Sequence, residues 1–298
     1  MLSSNLLPAA LLLAASAASA QAPDFSKVEI KTTKVGGNVY VLEGQGGNMA
    51  ASIGDDGIAL VDDEFAPLSE KIRAALAKLS PQPVRFLINT HWHGDHTGGN
   101  ANFADTAAIL AHENVRKRMV AGAKTRFGDV PPAAPKALPV LTFDESVTLH
   151  WNGEDVRVVH QRPGHTDGDS VVWFTKSNVV HLGDDYFSDA FPFFDSASGG
   201  SIRGVIAVID SVMPQLPKDV KVIPGHGPVT SAEEVRKWAR TLEEIVNTVE
   251  KAKQSGKTVA QMQQEKILAP WAPWGKGFIS ADMFIQLVDA ELSASAKK

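Results

Sequence analysis

Short apolar runs alternate with polar, glycine-bearing turns along most of the chain, and their spacing predicts its elements. Val28-Glu29-Ile30-Lys31, Val39-Tyr40-Val41-Leu42, Asn48 to Ile53 and Gly57-Ile58-Ala59-Leu60-Val61 read as strands of an antiparallel meander. The turn from Glu43 to Asn48 is loose enough for a flap, although an ordinary hairpin is the simpler reading. Leu68, Ile72, Leu76 and Leu79 then recur at helical spacing, and residues 84–90 return to a short buried strand. Ala107 to Leu110 reads as a strand and Glu113 to Val120 as a helix, whereas residues 122–139, rich in proline, predict a loop or lid with no packed element.

The alternation then resumes. Strands are expected at Ser146 to His150, Val156 to Val159, Ser170 to Phe174 and Asn178 to Leu182, a helix at Gly199 to Met213, and a strand at Val220 to Ile223. Ser231 to Lys253 opens with a Ser231-x-x-Glu234 capping box and carries Val235, Trp238, Leu242, Ile245 and Val249 on one face, the pattern of a long amphipathic helix. A last helix runs from about Ala281 to Leu292, after a proline-rich turn whose Trp271 and Trp274 are expected to pack on the core. The order of strands, helix, strands, helix occurs twice, which predicts two similar halves of one α/β domain over residues 21–298, with a helical extension from about residue 254.

Against this pattern one stretch stands out. Thr90-His91-Trp92-His93-Gly94-Asp95-His96-Thr97-Gly98-Gly99-Asn100 follows a strand and places three imidazoles and a carboxylate within six positions, His91 to His96. Residues two apart on an extended segment point the same way, so His91 and His93 can grip one cation while Asp95 and His96 face a second. A merely polar loop rarely carries four such residues at this spacing. Asp62, ending its own strand, is placed to support this loop from behind. Three more candidates also follow strands: His165 in Pro163-Gly164-His165, Asp184 in Gly183-Asp184, and His226 in Pro224-Gly225-His226. Loops at the carboxyl ends of strands in α/β units share one sheet edge, where ligand sites gather. His91, His93 and His165 then make a three-nitrogen site with an open position, and Asp95, His96 and His226 make a second, with Asp184 able to bridge.

Composition narrows the chemistry. The chain has 298 residues, 44% of them hydrophobic, enough for a sizeable core. Its formal charge of −5, without a basic run, argues against nucleic acid or an anionic membrane as partner, and leaves a small molecule as the expected ligand. There is no cysteine, which excludes disulfides, thiolate metal ligands, cysteine nucleophiles and a lipid anchor on cysteine, so any metal is held by nitrogen and oxygen. Leu6 to Ala20 is apolar and ends in Ala18-Ser19-Ala20, the pattern of a signal peptide over residues 1–20, although the start lacks Lys or Arg; a periplasmic or secreted location is expected. Oligomeric state has no signature.

The order of these motifs resembles the metallo-β-lactamase superfamily, over residues from about 28 to 253. The resemblance implies a four-layer αββα sandwich with a dinuclear metal site at one edge, and a choice among β-lactamase, lactonase, thioester hydrolase and phosphodiesterase chemistry. It selects Asp184 over Asp185 as the bridging ligand, since Asp184 follows Gly183 as the family's bridging residue does. It also marks departures: the best-known β-lactamase class has a cysteine where this chain has Asp184, and a substrate-binding lysine where it has Phe187. Arg126 and Arg203 are the candidates to replace that lysine. The aromatic run Tyr186 to Phe194 can line a substrate pocket, with the Tyr186 hydroxyl as a donor to a substrate carbonyl.

The expected protein is thus an exported dinuclear zinc hydrolase, iron or manganese being compatible with the same ligands, acting on a carbonyl ester, lactone or amide. Asp95 is expected to orient the nucleophile or to return the proton to the leaving group. The alternatives are a true β-lactamase and a non-catalytic periplasmic metal-binding protein. His112, His150, His160 and His181 are expected to be structural or on the surface.

Overall fold

The first meander forms as β1 (Lys31–Gly36), β2 (Val39–Glu43), β3 (Met49–Gly54) and β4 (Gly57–Val61), each antiparallel to its predecessor. Helix α1 (Ser69–Ala77) then returns the chain so that β5 (Val84–Ile88) lies parallel to β4. Two short helices, α2 (Gly94–Thr97) and α3 (Asn100–Phe103), precede β6 (Ala108–His112), and α4 (Glu113–Ala121) follows it. After a small hairpin of β7 (Ala123–Thr125) and β8 (Gly128–Val130), β9 (Leu141–Phe143) closes a seven-stranded sheet in the order β1-β2-β3-β4-β5-β6-β9. This is a computed structural model, and it describes residues 24–125 and 128–295. The expected signal peptide and Arg126 lie outside the described residues.

The second half repeats the plan. Strands β10 (Ser146–Trp151), β11 (Glu154–His160), β12 (Ser170–Phe174) and β13 (Val179–His181) form a meander, helix α5 (Ile202–Val212) crosses over, and β14 (Lys221–Ile223) lies parallel to β13 beside β15 (Thr230–Ser231). Helices α6 (Ala232–Gln254), α7 (Val259–Gln264) and α8 (Ala281–Ser295) complete the described chain.

Period-two alternation sorts the side chains into layers. Val39, Val41, Ala50 and Val61 of the first sheet meet Val156, Val158, Val172 and Phe174 of the second in a buried core between the sheets. Leu42, Met49, Ile58 and Leu60 point the other way, onto Ile72 and Leu76 of α1. On the far side Val171, Val180 and Val222 pack beneath α5, α6 and α8, where the predicted face of Val235, Trp238, Leu242, Ile245 and Val249 is buried. The expected αββα sandwich is thus present.

Two expectations need correction. The first strand begins at Lys31 rather than Val28; Val28 and Ile30 instead pack against the outer core of the first sheet. The segment 122–139 is more than a loose lid: it contains the β7–β8 hairpin, and Leu138 is buried against Trp92, Val115 and Met119. Proline suppresses ladder pairing but leaves side chains free to pack, so its density hid this contact.

Candidate metal centre

Every candidate ligand stands just past the end of a strand at one edge of the sandwich. The stretch 89–100 leaves β5, and the amides of Asn89 and Asn100 close it by exchanging hydrogen bonds of 3.0 and 2.9 Å. Behind it Asp62, in the left-handed region at φ 58°, accepts from the Thr90 N–H at 2.8 Å, from Thr90 Oγ1 at 2.7 Å and from His96 Nδ1 at 2.8 Å. That is the supporting role expected of Asp62. Asp95 and His96 project from the first turn of α2 rather than from extended chain.

The ring nitrogens are assigned by their partners. His165 Nδ1 donates to the Phe193 carbonyl at 2.8 Å, and His93 Nε2 pairs with Asp195 at 3.1 Å. Thr90 Oγ1, already donating to Asp62, lies 3.0 Å from His91 Nδ1 and accepts from it. The remaining nitrogens, His91 Nε2, His93 Nδ1 and His165 Nε2, therefore present lone pairs to one another, at 3.1 and 2.9 Å. Three lone pairs so close repel unless a cation lies among them, and their chemistry suits one.

A second group, Asp95, His96 and His226, has its ligand atoms equally near one another, as does a third formed by His91, His96 and Asp184; all three groups keep within 4.8 Å. Asp184 joins them. Its carboxylate lies 3.1 Å from His96, 3.5 Å from both His165 and His226, and 3.9 Å from His91. His96 Nε2 and Asp184 Oδ1, buried and 3.1 Å apart, make no well-aligned hydrogen bond, and metal coordination would satisfy both. The seven predicted ligands are brought together, and Asp185 is not among them: it turns inward to accept the His165 N–H at 3.1 Å.

Charge distribution follows the same division. Burial holds the His91 imidazole well below its ordinary pKa and pushes His165 down to about 4, so both stay neutral as metal ligation requires. Around the second group, burial opposes charge, but Asp184 and Asp95 outweigh it, lifting His96 well above the usual range and His226 to about 9. Burial would likewise raise Asp184, yet the imidazoles of His96 and His226 keep it well below the normal carboxylate value. Protonated imidazole thus supplies, without metal, the positive charge that cations would bring.

Close backbone approach makes the cluster tight. A Cβ on Gly225 would collide with Asp184, and one on Gly47 with the His96 ring. The turn 43–48 is accordingly a fixed wall: Gly47 N–H donates to the Asp95 carbonyl at 3.1 Å, and Glu64 accepts from the Gln45 and Gly46 N–H groups at 3.0 Å.

Residues 186–194 form another wall, and only part of their aromatic run faces the cluster. Phe187 stacks on His226 with ring centroids 5.2 Å apart, and Phe193 stands 5.7 Å from His165. Tyr186, expected to face substrate, is directed elsewhere: its ring packs against Trp238 at 5.1 Å, on the side where Ser188 and Thr230 lie. Strand alternation explains this, since neighbours in extended chain point to opposite sides. Arg203 is committed to Glu250 and Asn247, away from the cluster. Asp195 was missed altogether. It holds His93, accepts from Ser198 Oγ at 2.5 Å, and its N–H donates to the His165 carbonyl at 2.8 Å. A lone aspartate after an aromatic run offers no pattern that would single it out.

The other histidines are structural or on the surface, as expected. His181 is fully buried and donates to the Asn48 carbonyl, His150 pairs with Asp155 on the surface, and His112 stacks on His160 at 3.5 Å.

Comparison with known proteins agrees with this geometry. A family model described as the metallo-beta-lactamase superfamily matches residues 32–247. The alpha subunit of a 2,4-dinitroanisole O-demethylase from Nocardioides sp. is 29% identical over 53% of this chain and 46% of its own length. A hydroxyacylglutathione hydrolase from Nitrosococcus oceani is 30% identical over 54% of this chain and 55% of its own. The chain spans about half the length of these curated relatives. Among solved structures, a metallo-beta-lactamase from Pontibacter korlensis superposes with a TM-score of 0.62 at 18% identity, over 72% of this chain and 99% of that one. A sec-alkyl sulfatase gives 0.67 at 15%, over 88% of this chain and 50% of its own. At these identities the likeness is one of fold.

Proposed function

The chain belongs to the metallo-beta-lactamase superfamily, and on that premise we propose that it is a metal-dependent hydrolase holding two ions, zinc in the first instance. His91, His93 and His165 would hold one ion; Asp95, His96 and His226 the other, with Asp184 between them. The observation that carries this reading is the convergence of three imidazole lone pairs beside a second His/Asp group that shares a buried carboxylate. When bound, such ions supply Lewis acidity, bringing the pKa of water toward about 7 and polarising a carbonyl or comparable oxygen.

The chain's own groups do the rest. Asp62, Asp195 and the Phe193 carbonyl fix the tautomers of His96, His93 and His165, so that each presents its lone pair without reorganisation. Asp95 is partly exposed and 3.4 Å from His226 Nε2; burial would raise its pKa, but His96 and His226 hold it ionised, the carboxylate placed to accept from and orient the nucleophile. Phe187 and Phe193 exclude water and favour an apolar acyl group.

For substrate we infer a neutral ester or lactone in preference to a β-lactam. With Phe187 on His226, an anionic lactam loses a charge-assisted contact worth about 1.5–3 kcal/mol, roughly ten- to a hundredfold in affinity. The apolar run ending at Ala18-Ser19-Ala20 supports export to the periplasm or beyond. The deciding experiment is kcat/KM for an aliphatic lactone, a phenyl ester, nitrocefin, a carbapenem, a phosphodiester and a sulfate ester on one zinc-loaded preparation. Ester or lactone should lead; a β-lactam preference of about tenfold or more would overturn the substrate reading, and zinc-loaded protein inert on the whole panel would favour a metal-binding role without catalysis.

A further inference from the structure

Residues 186–194 cross the metal cluster as a strap with two faces, and its two ends are tied to metal ligands. The Ser188 N–H donates to the His226 carbonyl at 3.0 Å, and beyond Phe193 the Asp195 N–H donates to the His165 carbonyl at 2.8 Å. The ligand-facing side carries Phe187 and Phe193. The opposite side is held in the middle by the C-terminal part of the chain. Phe191 N–H donates to the Trp274 carbonyl at 3.2 Å, and the Phe191 ring stacks on Phe284 with centroids 4.8 Å apart and planes 20° from parallel. Trp238 of α6 adds an Nε1–H bond of 3.2 Å to the Ala190 carbonyl. Trp274 and Phe284 lie beyond residues 32–247, the part shared with the family.

Between these attachments Tyr186, Phe191 and Phe194 are buried in the core of the second half, but the back of residues 186–189 is not close-packed throughout. Behind it lies a cavity of about 210 Å³, lined by Tyr186, Asp189, Trp238, Trp274 and, from α6, Thr241. Asp189, at the strap's middle, is exposed and left-handed at φ 56°. A wall with a cavity along part of its back yields there at lower cost than one close-packed throughout, because displacing it breaks fewer contacts.

We propose that the Trp274–Phe284 clamp and the cavity beside it determine the size of acyl group this enzyme accepts. The clamp sets how far Phe187 and Phe193 stand over the metal ligands; the cavity is the space into which the strap withdraws when a bulky acyl group enters. Trp274 and Phe284 are positioning residues, acting through Phe191 and touching neither metal nor substrate. This assignment rests on the ester or lactone reading above.

The test uses the full zinc-loaded chain with p-nitrophenyl acetate and p-nitrophenyl hexanoate, and the variants Trp274→Ala, Phe284→Leu and Thr241→Met. Loosening the clamp should raise the hexanoate-to-acetate ratio of kcat/KM about fivefold or more, through KM, with acetate kcat within about twofold and metal content unchanged. Thr241→Met, which fills the cavity, should lower that ratio. Hydrogen exchange of the amides in 187–194 should speed up in both clamp variants and stay as in the wild type at α1. Phe284→Leu keeps most of the buried volume, so its fold is retained even should Trp274→Ala prove unstable. Unchanged selectivity and unchanged strap exchange in a folded, metal-replete clamp variant would overturn the proposal, as would a Thr241→Met shift in the same direction as the clamp variants. Wild-type protein inactive on both esters would overturn the substrate reading and the selectivity assigned here, while the exchange comparison, which needs no turnover, still decides whether the C-terminal segment clamps the strap.

Discussion

Asp195 does for His93 what Asp62 does for His96: each carboxylate fixes an imidazole so that its free nitrogen faces the cluster. Asp195→Ala should therefore weaken binding of the first ion about 10- to 100-fold, read by chelator competition, with secondary structure unchanged by circular dichroism. His226→Ala should take metal content from two per chain toward one and abolish turnover; content of two with full activity would remove His226 from the ligand set. The metal-free protein carries a pH signature. His165, pushed down to about 4, stabilises the fold above an unfolded pKa near 6.5, and that contribution is lost as pH falls toward 4. His226, raised to about 9, contributes below about 6.5, and its share is lost as pH rises through 9. Chelator-treated protein should accordingly melt highest near pH 6.5 and lower on both sides, whereas zinc-loaded protein, with both rings committed to metal, should show a flatter alkaline limb in the same scans.

Among the elements, the strand ends matter more than the strands. The β4, β5, β13 and β14 strands each stop within a few residues of Asp62, His91, Asp184 and His226, so a core change that shifts one strand moves a ligand. Ile223, fully buried between the sheets at the end of β14, is the sharpest case. Ile223→Ala should cost about 2–5 kcal/mol in urea unfolding and also reduce affinity for the ion held by His226. A second link between the halves is the stack of His112, capping α4, on His160, ending β11. Burial, reinforced for His112 by His160, holds both rings below their ordinary pKa, so the stack is intact above about 6.5 and loosens as pH falls. Zinc-loaded protein should lose melting temperature from pH 6.5 to 5, and the double variant His112→Phe with His160→Phe should lose less.

For the molecule as a whole, the metal loop and its distant partners were legible because ligand chemistry leaves a dense local mark: imidazoles two apart, and glycine beside His165, Asp184 and His226. The doubled plan was legible too, since each meander alternates at period two before its crossover helix. What escaped has a common physical cause, the absence of a repeating pattern. Three-residue β9 at a sheet edge, Leu138 buried within a proline-rich stretch, Asp195 beside His93 and the turn of Tyr186 away from the cluster are all decided by tertiary packing, which local spacing does not encode. The claim on which the rest depends is that seven residues from four strand ends form one two-ion centre. Anomalous diffraction at the zinc edge from crystals of the zinc-loaded protein tests it most directly. Two peaks are predicted, one among His91, His93 and His165 and one among Asp95, His96 and His226, with Asp184 reaching both; a single peak, or zinc bound away from these side chains, would contradict it.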